Sequence, residues 1–243
     1  MYRLFLILKN RNKALYFLVI ILVLACKEAQ KTNALDFKLI ARNSYFIDNY
    51  DGISVYRDNE TKKVMDGYFV VGNALTKWEE FELANGVLNG DYIVFHNNGN
   101  IFSHATYLKG KLHGEEKTYR LSGSLSKVSH FKHGVRYGKD ITYFDNGQIK
   151  SESTIKEDEV VESVTYNSIG EIEAQMFIRD SRKITQTIKS GQVFSEHIES
   201  TYDDFEATKF YNDDGSLKLF LTFKIEDDKG YIIAVSYTHL TLT

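Results

Sequence analysis

Residues 134–139, Gly-Val-Arg-Tyr-Gly-Lys, carry the glycine and lysine types of a phosphate-binding loop. Such a loop needs GxxxxGK followed by Ser or Thr, so that backbone N–H groups surround the phosphates and the hydroxyl reaches magnesium. The stretch is one residue short, and Asp140 stands where the hydroxyl is required, placing a negative charge against an incoming anion. The sister stretches beginning at Gly86 and Gly110 keep both glycines and lack the lysine. No phosphate site is expected.

Seven histidines raise the question of a metal. His130 and His133 are three apart, a spacing that on a strand sends them to opposite faces. His96 and His113 fall at turns of different kinds, and no third ligand stands close, as zinc requires. Surface imidazoles are expected, with no metal and no cofactor. The doublets Glu79-Glu80, Glu115-Glu116, Asp203-Asp204, Asp213-Asp214 and Asp227-Asp228 invite acid–base pairs, but neighbours on a strand point apart. Asn212-Asp213-Asp214-Gly215 is similar to part of a calcium loop, yet Phe210 and Leu221 would fill its first and last positions, where carboxylates belong. No GxSxG elbow is present. These residues assemble no catalytic site, and the chain is expected not to be an enzyme.

The sole cysteine, Cys26, has a different chemistry available. Arg3, Lys9, Arg11 and Lys13 form a basic head, and the apolar run from Ala14 to Ala25 follows it. That run is shorter than the roughly 20 residues a membrane span needs, and it fits a signal peptide. Val23-Leu24-Ala25-Cys26 resembles the bacterial lipobox. The resemblance implies cleavage before Cys26 and diacylglycerol on its sulfur. Each buried methylene adds about 0.8 kcal/mol, so two or three acyl chains hold a protein on a bilayer. Lys27-Glu28 lacks the Asp that favours inner-membrane retention and resembles charged export signals of surface lipoproteins. The expected address is the cell envelope, at the outer membrane of a diderm bacterium. Cleavage would leave 26 basic against 33 acidic residues, a net of −7, which disfavours a nucleic-acid partner. With no other cysteine, the domain must rest on packing alone.

The body of the chain is periodic. Residues 86–109, 110–133 and 134–157 align without a gap at a period of 24 residues. Gly86, Gly110 and Gly134 fall in register, as do Gly99, Gly123 and Gly147, then Phe95, Tyr119 and Tyr143, then Tyr107, Phe131 and Ile155. A fourth copy, one residue shorter, keeps Val164, Tyr166, Gly170, Ile172 and Ile178; Tyr211, Gly215, Leu217 and Phe223 echo it, and 67–86 is a degenerate copy. Each block reads as two short strands around an Asn-Gly-type turn, which supplies the positive φ of a tight hairpin, with GxxxG turning the chain into the next block. The expected fold is all-β: antiparallel hairpin repeats forming an extended, twisted meander sheet. Strand alternation puts Ile93, Phe95, Ile101, Tyr107, Tyr119, Leu125, Phe131, Ile141, Tyr143, Ile149 and Ile155 on one face. Glu116, Thr118, Ser126, His130, Asp140, Thr142, Lys150 and Glu152 fall on a wet one. Tyr92, Val94 and Phe102 make the second face of the first block apolar, and the N-terminal region is expected to cover it. Thr76 and Glu79 have capping-box spacing, but their place in the repeat favours a strand.

The repeat consensus, G-x-x-x-G-x-x-x-x-[YF]-x-x-x-G-x-[IL]-x-x-x-x-x-[YF], resembles the bacterial variant of the MORN repeat over roughly residues 67–180. That resemblance implies a β-hairpin scaffold; some members are labelled antitoxins, and eukaryotic relatives are linked to membranes and protein assembly. The expected organisation is a signal peptide over 1–25, lipidated Cys26 with a tether over 26–44, and a β-repeat domain over 45–234 with its clear repeats in 86–180. Residues 235–243 resemble a sequencing-adapter-derived tail and are set aside as non-native. The expected function is a non-catalytic envelope lipoprotein that binds a protein, peptide or glycan. The alternatives are an antitoxin or immunity protein and an envelope hydrolase. Tyr92, Phe95, Tyr107, Tyr119, Phe131 and Tyr143 are the candidate contact or packing aromatics. Substituting Cys26→Ser should move the protein from the membrane to the soluble fraction and change its gel mobility; unchanged fractionation would exclude a lipid at Cys26.

Overall fold

A computed structural model describes residues 37–226 and 229–236. Cys26, the signal peptide and residues 237–243 of the tail lie outside the described residues. The chain divides after Lys38, and Leu39–Thr243 forms one compact unit. The first elements are β1 (Phe37–Ile40), a 3-10 turn (Arg42–Ser44), and a hairpin of β2 (Tyr45–Tyr50) and β3 (Ile53–Asp58). The meander then runs through β4 (Gly67–Gly72), β5 (Lys77–Ala84), β6 (Val87–Phe95), β7 (Ile101–Leu108), β8 (Lys111–Tyr119) and β9 (Leu125–Lys132). It continues with β10 (Val135–Arg136), β11 (Gly138–Tyr143), β12 (Ile149–Lys156), β13 (Glu159–Tyr166), β14 (Ile172–Arg179) and β15 (Arg182–Lys189). Last come β16 (Gln192–Ser200), β17 (Glu206–Tyr211), β18 (Leu217–Glu226) and β19 (Lys229–Ser236). β1 and β4–β19 belong to one open sheet of 17 strands, and β2–β3 is a separate two-stranded sheet. The all-β hairpin meander expected from the sequence is the fold. Lys77–Ala84 is a strand, so the Thr76–Glu79 spacing opens no helix.

Two turn types alternate and set the pairing. At Lys109-Gly110, His133-Gly134 and Asp180-Ser181, both residues have positive φ, the backbone of a type I′ hairpin. At the other end of each hairpin the loop is longer. His96 N–H donates to Asn100 O (2.8 Å) and Gly99 N–H to His96 O (2.9 Å), and Arg120 with Ser124 and Phe144 with Gln148 repeat the first of these bonds. Every such loop is followed by a register shift, at Val94/Phe95, Thr118/Tyr119, Thr142/Tyr143 and Thr165/Tyr166. One residue of the returning strand is left over, as in a β-bulge.

That extra residue corrects the expected division of faces. Phe95 pairs with Ile101, and Val94 pairs with Ser103, so Phe102 is the added residue and alternation reverses beyond it. Tyr107 therefore shares a face with Tyr92, whose ring it meets at 6.1 Å, and not with Ile93. The same shift moves Phe131 and Ile155 across, while Tyr119 and Tyr143 stay with Ile141. Both faces are mixed, and the simple wet–dry division does not hold. His130 joins Glu115, its cross-strand partner, on the face of Ile93.

The core sits at the start of the meander. Tyr56 from β3, Met65, Phe69 and Val71 from β4, Phe81 and Leu83 from β5, and Leu88 from β6 form one buried cluster, against which Ile40, Tyr45, Trp78, Tyr92 and Tyr107 pack. Phe81 is 0% exposed, with Tyr56, Tyr45, Phe69 and Tyr92 ring centroids 5.1–6.1 Å away. A fully buried Phe contributes roughly 1.5–3 kcal/mol. The β2–β3 hairpin thus covers the apolar start of the sheet, as expected for Tyr92, while Phe102 remains 46% exposed against His96. Residues 37–44, expected as tether, are instead β1 and the 3-10 turn, because Ile40 reaches the core and the Arg42 guanidinium lies 4.9 Å from the Trp78 ring centre. Val235 and Ser236, expected outside the fold, pair with Phe220 and Leu219.

Glycine at position 110 answers two demands: its φ is +79°, and a Cβ there would stand 2.9 Å from Ile53 Cγ2 on the covering hairpin. Gly147 has φ +83° with nothing within 4 Å of a Cβ. Gly147→Ala should therefore cost only the left-handed penalty, about 1–2 kcal/mol. Gly110→Ala should cost at least about 1 kcal/mol more by overpacking. Urea midpoints at constant m-value measure the difference, and equal losses would exclude the close hairpin contact.

Candidate functional site

The Glu79-Glu80 doublet splits across the sheet as strand geometry demands. Glu80 accepts from Tyr68 Oη on one face (2.5 Å) and is contacted by Lys77, which also lies over Phe95. Glu79, on the other face, accepts from Tyr45 Oη of the covering hairpin and from Tyr92 Oη of β6, both at 2.7 Å. One carboxylate thereby fastens the hairpin to the sheet. Burial, then the hydrogen bond to Glu79, push the Tyr45 and Tyr92 phenols well above their ordinary range. Burial first, then the charges of Glu79 and Tyr107, push Tyr56 up to about 12.

Farther along the same face, from β8 to β12, lies an open groove of about 970 Å³. Its floor is built from hydroxyl pairs at successive hairpins. Thr118 Oγ1 lies 3.1 Å from Ser126 Oγ, and Thr142 Oγ1 lies 2.7 Å from Ser151 Oγ. Each pair uses one O–H internally and leaves the other free to donate. Lys127 and Lys150 stand at the sides, with Lys150 Nζ 5.9 Å from the Phe144 ring centre. Beside the groove Asp140, 8% exposed, accepts from Lys127 (3.3 Å) and Arg136 (3.4 Å), and its Oδ1 has no partner among the described residues.

The groove wall is held by a contact that recurs with the repeat. His96 Nε2 lies 3.0 Å from Tyr119 O. One repeat on, Arg120 donates to Tyr143 O, to Leu125 O (2.8 Å) and to Asp145 (2.6 Å). In both cases the side chain at a turn reaches the backbone 23 residues ahead. The third repeat has Phe144 at this place, which has no donor, and Lys150 lies over it instead.

Of the six aromatics singled out by the sequence, the structure brings together Tyr92 and Tyr107 at the covered end. Phe131 is buried, Phe95 lies half-buried under Lys77, and Tyr119 and Tyr143 are half-buried, with only Tyr143 lining the groove. All six pack within the sheet. The histidines are also more engaged than surface imidazoles. His130 Nδ1 lies 2.6 Å from Lys139 O, and the His113 and His133 rings meet at 4.9 Å between consecutive repeats. Reading by alternation misses the hydroxyl pairs. The usable signal is Thr118 and Thr142 at one position of the 24-residue period; Thr142 faces Ser151, and Thr118 faces Lys127 with Ser126 beside it.

Chemically, the groove offers hydrogen bonds and positive charge. Its serines bond to threonines and not to a base, so nothing raises their nucleophilicity. Among the described residues no three His, Cys, Asp or Glu side chains are grouped to hold a metal ion.

Two segments of the chain match the MORN repeat variant. They are residues 88–109 and 136–157, and their starts lie two periods of 24 apart. Each covers one hairpin with its long loop, β6–β7 and β11–β12. The intervening β8–β9 hairpin has the same glycines, the same loop bond and the same register shift. No curated protein matches the chain.

The tyrosine–carboxylate latch sets a pH window. Phenols whose folded pKa is raised stabilise the fold fully below about pH 10, and this contribution is lost as pH climbs through the folded values. The melting temperature should hold from pH 7 to 9 and fall from pH 10 through 12. Glu79→Gln should cost about 1–3 kcal/mol at pH 8 and make the alkaline fall shallower; an unchanged alkaline slope would sink the latch.

Proposed function

We propose that the protein is a non-catalytic binding scaffold of the bacterial cell envelope, anchored by lipid at Cys26, that presents its sheet to a protein, peptide or glycan. The observation that carries this reading is the groove over β8–β12, a polar surface assembled from successive hairpins with Thr118 and Thr142 at equivalent positions. Its hydroxyls and cations are fixed by the backbone ladder before any partner arrives, so little ordering cost remains to be met on binding. The MORN-variant segments, the second of which supplies Thr142 and Ser151 to the groove, are compatible with a scaffold role. The lipobox-like residues before Cys26 support the membrane address. The outer membrane of a diderm bacterium is the proposed site.

Site-specific photocrosslinking in native envelopes tests the proposal on the intact chain. A photoreactive residue at Thr142 should capture a partner, identified by mass spectrometry as polypeptide or glycan, and one at the exposed turn residue Asp213 should not. Equal capture at both positions, or none at Thr142, would argue against the groove as the binding surface.

A further inference from the structure

The type I′ turn between β14 and β15 holds two arginines at an energetic cost. Arg179 and Arg182 are directly opposite in the antiparallel ladder, and the next pair on the same face is Phe177 opposite Ile184. Like charges at directly opposed positions destabilise a sheet. Among the described residues neither guanidinium donates a hydrogen bond or meets a carboxylate within salt-bridge distance. Two carboxylates bear on the arginines. Asp180 lies in the turn itself. Asp203 is held low first by Ser200 and the Phe205 N–H, and only lastly by Arg182, so it is committed to its own turn. What the arginines do have is rings: Arg179 Cζ lies 5.0 Å from the Phe177 centroid, and Arg182 Cζ 4.2 Å from that of Phe205.

A groove of about 500 Å³ starts at these arginines and runs over Phe177, Ile184 and Ile198. Its far side is a ladder of polar side chains across four strands. Gln175 Nε2 donates to Gln186 Oε1 (2.6 Å), Gln186 Nε2 to Glu196 Oε2 (2.8 Å), and Lys209 Nζ to Glu196 Oε1 (3.1 Å). The groove thus has two arginines and Asp180 at one end, an apolar middle, and a far side of fixed amides with the Glu196 carboxylate.

We infer that this groove receives the carboxyl terminus of a peptide ending in an apolar residue. The inference rests on the reading of the protein as a binding scaffold and names a ligand class for a second surface of it. Planar guanidinium forks match a carboxylate in two-bond geometry, and two of them converge here without an internal carboxylate bound to either. The apolar middle takes the terminal side chain, and Glu196 and Gln186 face the N–H groups of the incoming backbone. Competing ligands fit less well. Guanidinium groups already lie over Phe177 and Phe205, which leaves Phe220 as the one lining ring without a cation, and a neutral sugar would leave both guanidinium charges unmatched. A polyanion would bring further negative charge against Glu196.

Fluorescence polarisation with the full chain in detergent tests this, using labelled hexapeptides that end in Leu, Phe, Ser or Asp. Free-acid peptides ending in Leu or Phe should bind, and the same peptides with an amidated C-terminus should bind at least tenfold more weakly. Arg179→Gln and Arg182→Gln should each weaken binding at least tenfold, with Arg182→Lys recovering only part. Circular dichroism of the variants should be unchanged. Equal affinity for acid and amide, or no peptide binding, would overturn the inference. So would anionic vesicles or acidic oligosaccharides bound with the same arginine dependence, because they would assign the site to another ligand. Photocrosslinking at Thr142 that persists in the Arg179→Gln/Arg182→Gln protein would leave the scaffold reading standing while this inference fails.

Discussion

The sheet depends on the alternation of two turns, a two-residue type I′ turn and a longer loop with a register shift beside it. A type I′ turn reverses the chain in two residues; β14 and β15 stay in register throughout, whereas the hairpins turned at Glu157-Asp158 and Ser190-Gly191 shift at Thr154/Ile155 and Thr187/Ile188. The longer loop adds a bulged residue, and that residue rotates the returning strand by one position. Phe102, Ser126 and Lys150 are these added residues, 24 apart, and each sits beside the residue facing Val94, Thr118 or Thr142. Because the shift recurs at the same place in each hairpin, positions equivalent in the repeat stay stacked across the sheet. Thr118 and Thr142 thereby share one row, with Lys127 between them.

A sheet of this kind has little to bury. Beyond the covered end, the buried apolar side chains among the described residues are few and spread over the strands: Ala105, Val128, Phe131, Ile155, Met176, Ile198 and Ala207. Each hairpin is therefore held mainly by its neighbour, through ladder hydrogen bonds and cross-strand pairs worth roughly 0.2–1 kcal/mol apiece. Turn-to-backbone contacts from His96 and Arg120 add a second tie between successive repeats. Repeat arrays of this kind need a cap where neighbour contacts end. The β2–β3 hairpin supplies one, with Tyr45 and Tyr92 sharing Glu79 and with Phe81 beneath. The cap concentrates the apolar surface at one end and leaves the rest of the sheet open to solvent and to partners.

The hairpins are legible in the sequence because glycine and asparagine spacing reports backbone φ directly, and Gly86, Gly99 and their repeats sit where the turns are. The faces are not, because a bulge changes parity without changing composition; Tyr107 and Phe131 look identical in either register. The Glu79 latch is hidden for another reason. Tyr45 lies 34 residues from Glu79, outside the repeat, and no period could join them. Phe37–Ile40 reads as tether because its neighbours are polar, yet the structure uses Ile40 to finish the core.

The same parity rule explains why one chain carries two chemically distinct grooves. Thr118, Thr142 and Lys127 leave one face, and Phe177, Ile184 and Gln186 leave the other. Neither set constrains the residue types of the other, since alternate residues of a strand are independent once the ladder is formed. A repeat that holds its turns can vary one face hairpin by hairpin, as His96, Arg120 and Phe144 vary at one repeat position without disturbing the pairing around them. The glycines and the bulges hold the fold, and the residues between them are left free to vary. Lys139 within Gly134–Asp140 belongs to that variable set: its carbonyl contacts His130, while its side chain is one of three different residues at an exposed strand position. The spacing that first suggested phosphate chemistry is the joint between two hairpins, and what varies from repeat to repeat lies on the strands it connects.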